Sequence, residues 1–342
     1  MEEIDNSTAK TIIKSLLESK NLPHAYLFVG QKGTGKTSSA RIFAKSVNCA
    51  SNKFSGRGNS VEPCNTCKNC KSITATSSSD VVEMDAASNR GIEEIRSLIK
   101  EASLLPMSGM YRIFIIDEAH MITQEAFNAL LKTLEEPPQS VMFILATTNL
   151  QKIPKTIQSR CYIVNFGRAR KKDILHMLER ICKGEKITVD PKLLDLVVSR
   201  SEHSFRDAAK VLEELVIQDK LTLTSGSKFL GVLGKENLLE VIEKKELKDA
   251  LQWIEEFSRA GGDVKYLIEH LLETLRIHLL VKNGVRTDDE EDTPYAFSLV
   301  ETSRLIKLLT EAYHTLKISP SESIPLEIAV VDFYNNKKIT SL

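Results

Sequence analysis

The sequence lacks the features that place a protein in a membrane, outside the cell, or on nucleic acid through bulk charge. Its 342 residues carry 46 Lys and Arg against 46 Asp and Glu, so any nucleic-acid contact must come from a local patch. No apolar run approaches the roughly 18 residues that a membrane span needs. The N-terminus, MEEIDNSTAK, contains neither the basic nor the apolar part of a secretion signal. Six cysteines are too few for a disulfide scaffold, and we expect a cytoplasmic protein without membrane contact.

The first half of the sequence contains a regular alternation of strand and helix patterns. Most of the apolar runs do not alternate with polar residues, which is typical of strands covered on both faces. The predicted strands are Tyr26–Val29, Val81–Met84, Arg112–Ile116, Met142–Ala146 and Tyr162–Phe166. Helical patterns at about Lys36–Asn48, Gly91–Leu104 and Gln124–Leu134 separate them, so we predict an α/β fold with a parallel sheet.

After about residue 168 only helical patterns remain. The sequence Gly261-Gly262-Asp263 separates two of these helices, and an acidic surface loop is predicted at Thr287–Thr293. The chain therefore divides into a predicted α/β domain at 1–167, a small helical domain at 168–233 and an all-helical domain at 234–342.

The segment from Gly30 to Thr37 has the pattern G-x-x-x-x-G-K-[ST] of a phosphate-binding loop. It follows a predicted strand and opens a predicted helix, which is the context that the pattern requires. Glycines let backbone N–H groups turn toward phosphate oxygens, and the helix N-terminus adds partial positive charge. We expect Lys36 to reach the β and γ phosphates of ATP and the Thr37 hydroxyl to bind Mg²⁺. The predicted nucleotide-binding residues are Gly30, Gln31, Lys32, Gly33, Thr34, Gly35, Lys36 and Thr37.

Two carboxylates, Asp117 and Glu118, directly follow the third predicted strand. Because ligands bind at the carboxyl ends of strands in an open parallel sheet, Asp117 is placed to hold Mg²⁺ directly or through water. Glu118 is placed to orient and deprotonate an attacking water. The pair alone is also compatible with a solvated strand end, and its combination with the phosphate loop favours the catalytic interpretation.

Several further motifs point to one family. NALLKTLEEPP at 128–138, ATTN at 146–149 and SRC at 159–161, together with the phosphate loop, resemble the bacterial DNA polymerase III gamma/tau subunits, the ATPases of the sliding-clamp loader. The resemblance runs from about residue 22 to the end of the chain and is densest between His24 and Cys161. It implies an AAA+ P-loop NTPase fold, in which 168–233 forms a lid and 234–342 forms an oligomeric collar.

The resemblance also implies roles for individual residues. Thr148 and Asn149 match the first sensor region, where a polar side chain detects the γ-phosphate. Arg160 matches the arginine finger, which acts in trans on ATP held by a neighbouring subunit, and a guanidinium suits this role because it neutralises phosphate charge bidentately. Arg206 matches the second sensor, which reaches the nucleotide of its own subunit. Without the resemblance, these positions would read as an ordinary turn and surface arginines.

Four cysteines are clustered in the sequence. Two residues separate Cys64 from Cys67 and Cys67 from Cys70. Fourteen residues separate Cys49 from Cys64. Four thiolates suit a tetrahedral structural Zn²⁺, while an iron–sulfur centre or unligated thiols stay open as alternatives. The resemblance implies a zinc module here, at 49–70. Cys161 and Cys182 lie outside the cluster and are expected to be small buried hydrophobic residues.

Two features depart from the family. Members carry a Tyr-Arg-Pro stretch before the first helix that helps to hold adenine, and this chain starts at MEEIDNSTAK instead. Either the start is truncated or mis-assigned, or adenine is held differently. His203 stands where members commonly have Gly, so we expect the turn before the second-sensor helix to differ. The length matches the shorter gamma form.

The resemblance implies an ATPase that opens the sliding clamp and loads it onto primed DNA within the DNA polymerase III holoenzyme. A DNA-directed DNA polymerase label would describe the holoenzyme, since no polymerase carboxylate set is found. The implied cofactors are ATP, Mg²⁺ and Zn²⁺, and the implied partners are delta- and delta-prime-type subunits, further copies of the chain, the clamp and primed DNA. Arg90 and Arg96 are candidates for contacts with DNA phosphates, or solvated helix charges.

Two other functions stay open. One is a non-hydrolysing stator subunit of the same loader, against which the intact Lys36 and Thr37 argue. The other is a P-loop small-molecule kinase, which would work without an arginine from a partner.

Overall fold

The computed structural model describes residues 4–19, 21–201, 203–230, 238–259, 261–285 and 295–339. The chain forms two compact units, one of Met1–Ile187 with Arg200–Glu213 and one of Thr188–Ser199 with Glu214–Leu342. The division into three domains at residues 167 and 233 stays a prediction. The predicted acidic loop at Thr287–Thr293 lies outside the described residues.

The first unit contains a five-stranded parallel sheet, which confirms the predicted alternation. The strands are β1 (Ala25–Gly30), β2 (Val81–Asp85), β3 (Arg112–Asp117), β4 (Val141–Thr147) and β5 (Tyr162–Phe166), in the order β2-β3-β4-β1-β5. β3 and β4 are buried almost throughout, and β1 is buried over its first four residues. β2 and β5 are edge strands and leave part of their side chains exposed, so the prediction of cover on both faces holds only for the central strands.

Helices cover the two faces of the sheet. They are α1 (Ser7–Glu18), α2 (Lys36–Asn48), α3 (Lys68–Thr74), α4 (Ile92–Ala102), α5 (Gln124–Glu135), α6 (Lys155–Gln158) and α7 (Lys171–Glu185). Successive residues of a strand point to opposite faces, so Tyr26 and Phe28 pack in one core with Phe43 of α2. Leu27 packs in the other core with Phe127 of α5. The short helices α3 and α6 were not predicted, because one or two turns carry too little apolar periodicity to detect.

Beyond the first seven helices, the described residues are helical and contain no further strand, as predicted. These helices are α8 (Pro191–Arg200), α9 (Phe205–Ile217), α10 (Leu223–Phe229), α11 (Leu238–Lys244), α12 (Leu247–Arg259), α13 (Val264–Lys282), α14 (Leu299–Thr315) and α15 (Ser323–Ile339). The predicted break between α12 and α13 is confirmed, with Gly261 in the left-handed conformation and Asp263 capping α13 through Tyr266 N–H. In the part of the chain that the structure describes, no helix is long and apolar enough to cross a bilayer.

Candidate nucleotide site and metal centre

A cavity of about 570 Å³ opens beside the N-terminus of α2 and the carboxyl end of β3, within the first unit. This volume lies in the range of small-molecule and cofactor sites. Its lining residues come from the phosphate loop, β2, β3, α7, α9 and the segment before α1, and they are Ile4, Asp5, Asn6, Lys32, Gly33, Gly35, Lys36, Thr37, Ser38, Ser39, Arg41, Glu83, Asp117, Glu118, Met177, Phe205 and Arg206. Folding thus brings the predicted phosphate loop, both predicted carboxylates and Arg206 to one cavity.

The phosphate loop is shaped by two glycines with left-handed backbone. Gly33 has φ +76° and Gly35 has φ +90°, conformations that residues with a Cβ rarely adopt. A Cβ on Gly33 would lie 1.9 Å from the Ser204 Oγ atom, and the Phe205 N–H donates to the Gly33 carbonyl at 3.0 Å. A Cβ on Gly35 would meet no atom within 4 Å. The loop is therefore held from the turn before α9, while Gly35 faces open space in which a phosphate fits.

Lys36 is buried at the base of this loop and is only 6% exposed. Its Nζ donates to the carbonyl oxygens of Gly30 at 2.9 Å and Gln31 at 2.8 Å. Desolvation lowers the pKa of Lys36, and the nearby charges of Glu118 and Asp117 oppose that shift. A buried ammonium with only carbonyl partners fits the site of an anion such as a triphosphate. Thr34, also buried, donates to the Gln31 carbonyl at 2.8 Å and stiffens the loop, and Lys32 lies on the exposed side.

The predicted magnesium ligands are in contact. Thr37 Oγ1 donates to Asp117 Oδ2 at 2.6 Å, and Asp117 Oδ1 accepts from the Glu118 N–H at 2.8 Å. Hydroxyl and carboxylate oxygens are the ligands that Mg²⁺ prefers, so the donor set fits that ion beside a phosphate.

Glu118 is held in an unusual conformation next to this pair. Its φ is +46°, in the left-handed region that residues with a Cβ rarely occupy. Its Oε2 accepts from Thr148 Oγ1 at 3.2 Å and lies 3.3 Å from His120 Nδ1. The Asn149 side-chain oxygen accepts from the Gln151 N–H at 3.0 Å and caps the short helical turn Leu150–Lys152, and its sensor role stays a prediction.

The predicted second-sensor and finger arginines occupy different places. Arg206 lies at the start of α9 and lines the cavity. Arg160 follows α6 and does not line the cavity. An arginine that acted on the nucleotide of its own chain would have to line it. Its Nη2 donates to Glu135 Oε1 at 2.5 Å, and its Nη1 donates to the Thr156 carbonyl at 2.8 Å.

The candidate DNA-contact arginines lie beside α4. Arg96 Nη1 forms an ion pair with Glu93 at 2.7 Å on the exposed face of the helix. Arg90 is exposed, and its carbonyl accepts from the N–H of Thr123, the residue that caps α5.

His203 adopts the conformation that glycine favours. Its φ is +61°, and its Nδ1 lies 3.0 Å from the Ala169 carbonyl oxygen. This left-handed region suits glycine, which the resemblance implies at this position, and a histidine occupies it here.

The four clustered cysteines converge, as their spacing predicted. Their Sγ atoms all lie within 4.8 Å of one another. Three backbone N–H groups donate to the sulfur of the preceding cysteine at 3.3–3.4 Å, those of Cys64, Cys67 and Cys70. A tetrahedron with Zn–S bonds of about 2.3 Å has sulfur–sulfur edges of about 3.8 Å, so the cluster fits a single zinc ion.

Burial raises the pKa of Cys49 and of Cys70, whereas Cys64 is poised as a metal ligand. A hydrogen bond with the Thr66 side chain lowers the pKa of Cys64 to about 5, and backbone N–H groups act in the same direction. The thiolate, which is the ligand form, is therefore favoured at neutral pH. Outside the cluster, burial raises the pKa of Cys161 to about 12 and also raises that of Cys182, so both behave as apolar residues.

Comparison with known proteins identifies the family. The chain is 38% identical to the tau subunit of DNA polymerase III from Bacillus subtilis, over 94% of this chain and 59% of that protein. It is 33% identical to the gamma subunit from Buchnera aphidicola, over 95% of this chain and 90% of that protein. The chain belongs to the DNA polymerase III gamma/tau family. It thus spans most of a gamma subunit and little more than half of the longer tau subunit.

Two further comparisons concern the ATPase region and the fold. A family model described as DNA polymerase III, delta subunit, matches residues 5–170. Among solved structures, the branch-migration motor RuvB of Thermotoga maritima aligns with 75% of this chain and 81% of its own, at 15% identity and a TM-score of 0.47. That score is too low to add to the assignment. Family membership and the parallel sheet with its phosphate loop make the fold an AAA+ P-loop NTPase fold followed by helices, as predicted.

The contact between His120 and Thr147 beside Glu118 was not predicted, and neither were Arg41, Glu83 and Met177 in the cavity lining. Thr147 Oγ1 lies 3.2 Å from His120 Nδ1, directly beside Glu118. The only sequence signal was the position of His120 two residues after Glu118, which does not reveal the direction of a side chain.

Proposed function

We propose that the chain is an ATP-hydrolysing subunit of a sliding-clamp loader in a DNA polymerase III holoenzyme. The observation that carries this proposal is the cavity in which buried Lys36, the Thr37–Asp117 pair and Glu118 meet, in a chain of the gamma/tau family. The relatives are subunits of DNA polymerase III, which suggests the holoenzyme in which this chain acts. The residues of the cavity suggest ATP hydrolysis as its reaction.

In this proposal, five of the residues that line the cavity act in hydrolysis. Lys36 and the loop N–H groups bind the phosphates, and Thr37 with Asp117 hold Mg²⁺, which when bound neutralises charge that develops on the phosphate oxygens. Glu118 orients the attacking water and accepts its proton. Arg206 is placed to contact the nucleotide of its own subunit. Ile4, Met177 and Phe205 contribute apolar side chains to the cavity, against which an adenine base would pack.

Arg160 completes the site of a neighbouring subunit in this proposal. It lies outside the cavity of its own chain, and Glu135 holds it at the surface. ATP binding would then close a ring of subunits around primed DNA and hold the clamp open, and hydrolysis would release both.

The other partners are delta- and delta-prime-type subunits, and the protein would act in the cytoplasm. The helices after about residue 234 would form the collar, those at 168–233 the lid, and the cysteine cluster a structural zinc module.

The decisive experiment joins nucleotide binding with ATP turnover. Wild-type chain should bind ATP with Mg²⁺, and Lys36→Ala should abolish that binding because it removes the buried cation. In a complex reconstituted with delta- and delta-prime-type subunits, turnover should rise when clamp and primed DNA are added together.

Two outcomes would contradict the proposal. Wild-type chain that binds no nucleotide would favour the stator alternative. Turnover that is unchanged by clamp and primed DNA would remove the basis for a loader.

A further inference from the structure

His120 contacts both the proposed catalytic base and the end of the neighbouring strand. It lies on the short helical turn Ala119–Met121, and its Nδ1 is 3.3 Å from Glu118 Oε2 and 3.2 Å from Thr147 Oγ1. The His120 side chain is 13% exposed and Thr147 is fully buried. The imidazole is therefore fixed between β3 and β4 rather than free in solvent.

The hydrogen bonds around Thr147 determine which ring nitrogen carries the proton. The Thr147 hydroxyl donates to the Asn149 carbonyl at 3.2 Å and accepts from the Asn149 N–H at 3.0 Å. Its single hydrogen is thus used, and it can only accept from His120. The Glu118 carboxylate also only accepts when ionised. Both neighbours of Nδ1 present lone pairs, so the tautomer that is protonated at Nδ1 suits both contacts.

Glu118 is restrained at one oxygen only. Oε2 accepts from Thr148 Oγ1 at 3.2 Å and lies 3.3 Å from His120 Nδ1. Within the described residues, no hydrogen bond reaches Oε1. One oxygen is therefore fixed by the protein, and the other is available to a water molecule.

The geometry assigns His120 as a positioning residue for Glu118, an inference that rests on the proposed ATPase function. Its Nδ1, 3.3 Å from Oε2, restrains that oxygen through a close polar contact, and Oε1 then faces the attacking water. As the water oxygen bonds to the γ-phosphorus, one of its protons passes to Oε1, and the bond from the γ-phosphorus to the bridging oxygen breaks with its electron pair leaving on ADP. His120 keeps its proton throughout.

Three substitutions separate a positioning role from a structural one. His120→Asn places an amide N–H near the position of Nδ1, whereas His120→Gln places it near Nε2, and His120→Ala removes it. In the reconstituted complex with clamp and primed DNA, His120→Ala and His120→Gln should lower kcat at least tenfold, because a base displaced by about 1 Å loses up to two orders of magnitude in rate. The KM for ATP should change less than about twofold, and His120→Asn should keep kcat within about threefold of wild type.

A double substitution tests whether the effect passes through Glu118. In a Glu118→Gln background the proton acceptor is gone, so adding His120→Ala should lower the residual kcat no further. Melting temperatures of all variants, measured by circular dichroism, show whether each one folds, and the comparison uses the folded ones.

The outcomes distinguish the failure of this inference from the failure of the proposed function. Wild-type kcat in His120→Ala and His120→Gln would overturn the assignment, and so would a loss confined to KM or an Asn variant as slow as the Ala variant. An additive loss in the Glu118→Gln background would overturn it too. A wild-type complex without ATP turnover would contradict the proposed function and, with it, the role of His120.

Discussion

The hydroxyl of Thr37 and the carboxylate of Asp117 meet at 2.6 Å, although 80 residues separate them in the sequence. Thr37 lies in the first turn of α2 and Asp117 is the last residue of β3, so the contact joins the phosphate loop to the acidic strand end. Both side chains line the cavity, so one Mg²⁺ ion could contact both of them and a phosphate at the same time. The register of the sheet, rather than any local motif, sets this distance.

The first prediction concerns that contact. Thr37→Ala should lower ATP turnover by about two orders of magnitude, because removal of the hydroxyl displaces the metal and the phosphate it orients. Thr37→Ser keeps the oxygen and should stay within about tenfold of wild type. The measurement is turnover of the reconstituted complex as a function of Mg²⁺ concentration. Equal turnover of the Ala and Ser variants at every Mg²⁺ concentration would show that the hydroxyl does not bind the metal.

The second prediction concerns the arginine finger. Because Arg160 lies outside the cavity of its own chain, Arg160→Ala should leave ATP affinity unchanged and lower turnover of the assembled complex by about 10³-fold or more. Complexes of Arg160→Ala chains alone, or of Lys36→Ala chains alone, should both be inactive. Mixed complexes should regain turnover, since some sites then combine an intact Lys36 with Arg160 of a neighbour.

Loss of turnover with no recovery on mixing would place Arg160 in its own chain's site or in a structural role. Full activity of an isolated Arg160→Ala chain would instead favour a kinase that works alone. Glu135→Gln is the matched control for the ion pair, because it weakens the contact that holds Arg160 and leaves the guanidinium in place.

The third prediction concerns the cysteine cluster. Purified chain should contain one zinc per molecule, and Cys64→Ser should lose it, because one of four ligands is removed. Loss of the metal should lower the melting temperature by on the order of 5 °C, since metal binding contributes directly to folding. Cys161→Ser is the control, because Cys161 lies outside the cluster and should leave the zinc content unchanged. Iron in place of zinc, or full zinc in Cys64→Ser, would contradict the assignment.

The sequence was most informative where function depends on residues close together in the chain. The phosphate loop, the Asp117-Glu118 pair and the start of α2 at Lys36 were all predicted, because backbone geometry and strand–helix context are local. The contact between His120 and Glu118 was not, because it depends on the left-handed backbone of Glu118 and on the end of β4. Strand order is non-local for the same reason, and so the exposed faces of the edge strands β2 and β5 were missed.

Tertiary contacts also changed the meaning of individual polar residues. Thr148 and Asn149 were predicted together as the first sensor region, but the sequence could not show that Thr148 contacts Glu118 while the Asn149 oxygen caps the following turn. Arg160 was predicted from the SRC motif, but the ion pair with Glu135 could not be read from a spacing of 25 residues. Side-chain direction at a strand end depends on neighbours that only the fold supplies.

The fourth prediction concerns Asp80, a buried carboxylate before β2 that fixes the loop leading into β3. Its two oxygens accept from the N–H groups of Met107, Ser108 and Gly109 at 2.6–2.7 Å, and also from the Ser108 hydroxyl at 2.9 Å. Burial alone would raise the pKa of Asp80, but these donors stabilise the carboxylate more strongly and lower the pKa below its ordinary value. Asp80→Asn should therefore lower the free energy of unfolding by about 2 kcal/mol at pH 7, because hydrogen bonds to a charged acceptor are lost.

The pH dependence of this stabilisation has a defined sign. The folded-state pKa of Asp80 lies below its unfolded value of about 3.9, so the contribution is complete above about pH 5 and is lost as the pH falls through the folded-state pKa. Urea unfolding followed by circular dichroism should show a constant difference between wild type and Asp80→Asn from pH 7 to about pH 5, and a shrinking one below pH 4. Glu179→Gln, at an exposed site on α7, should show little difference at any pH. If the Asp80 difference instead grows on acidification, the carboxylate is not the form that these backbone donors stabilise.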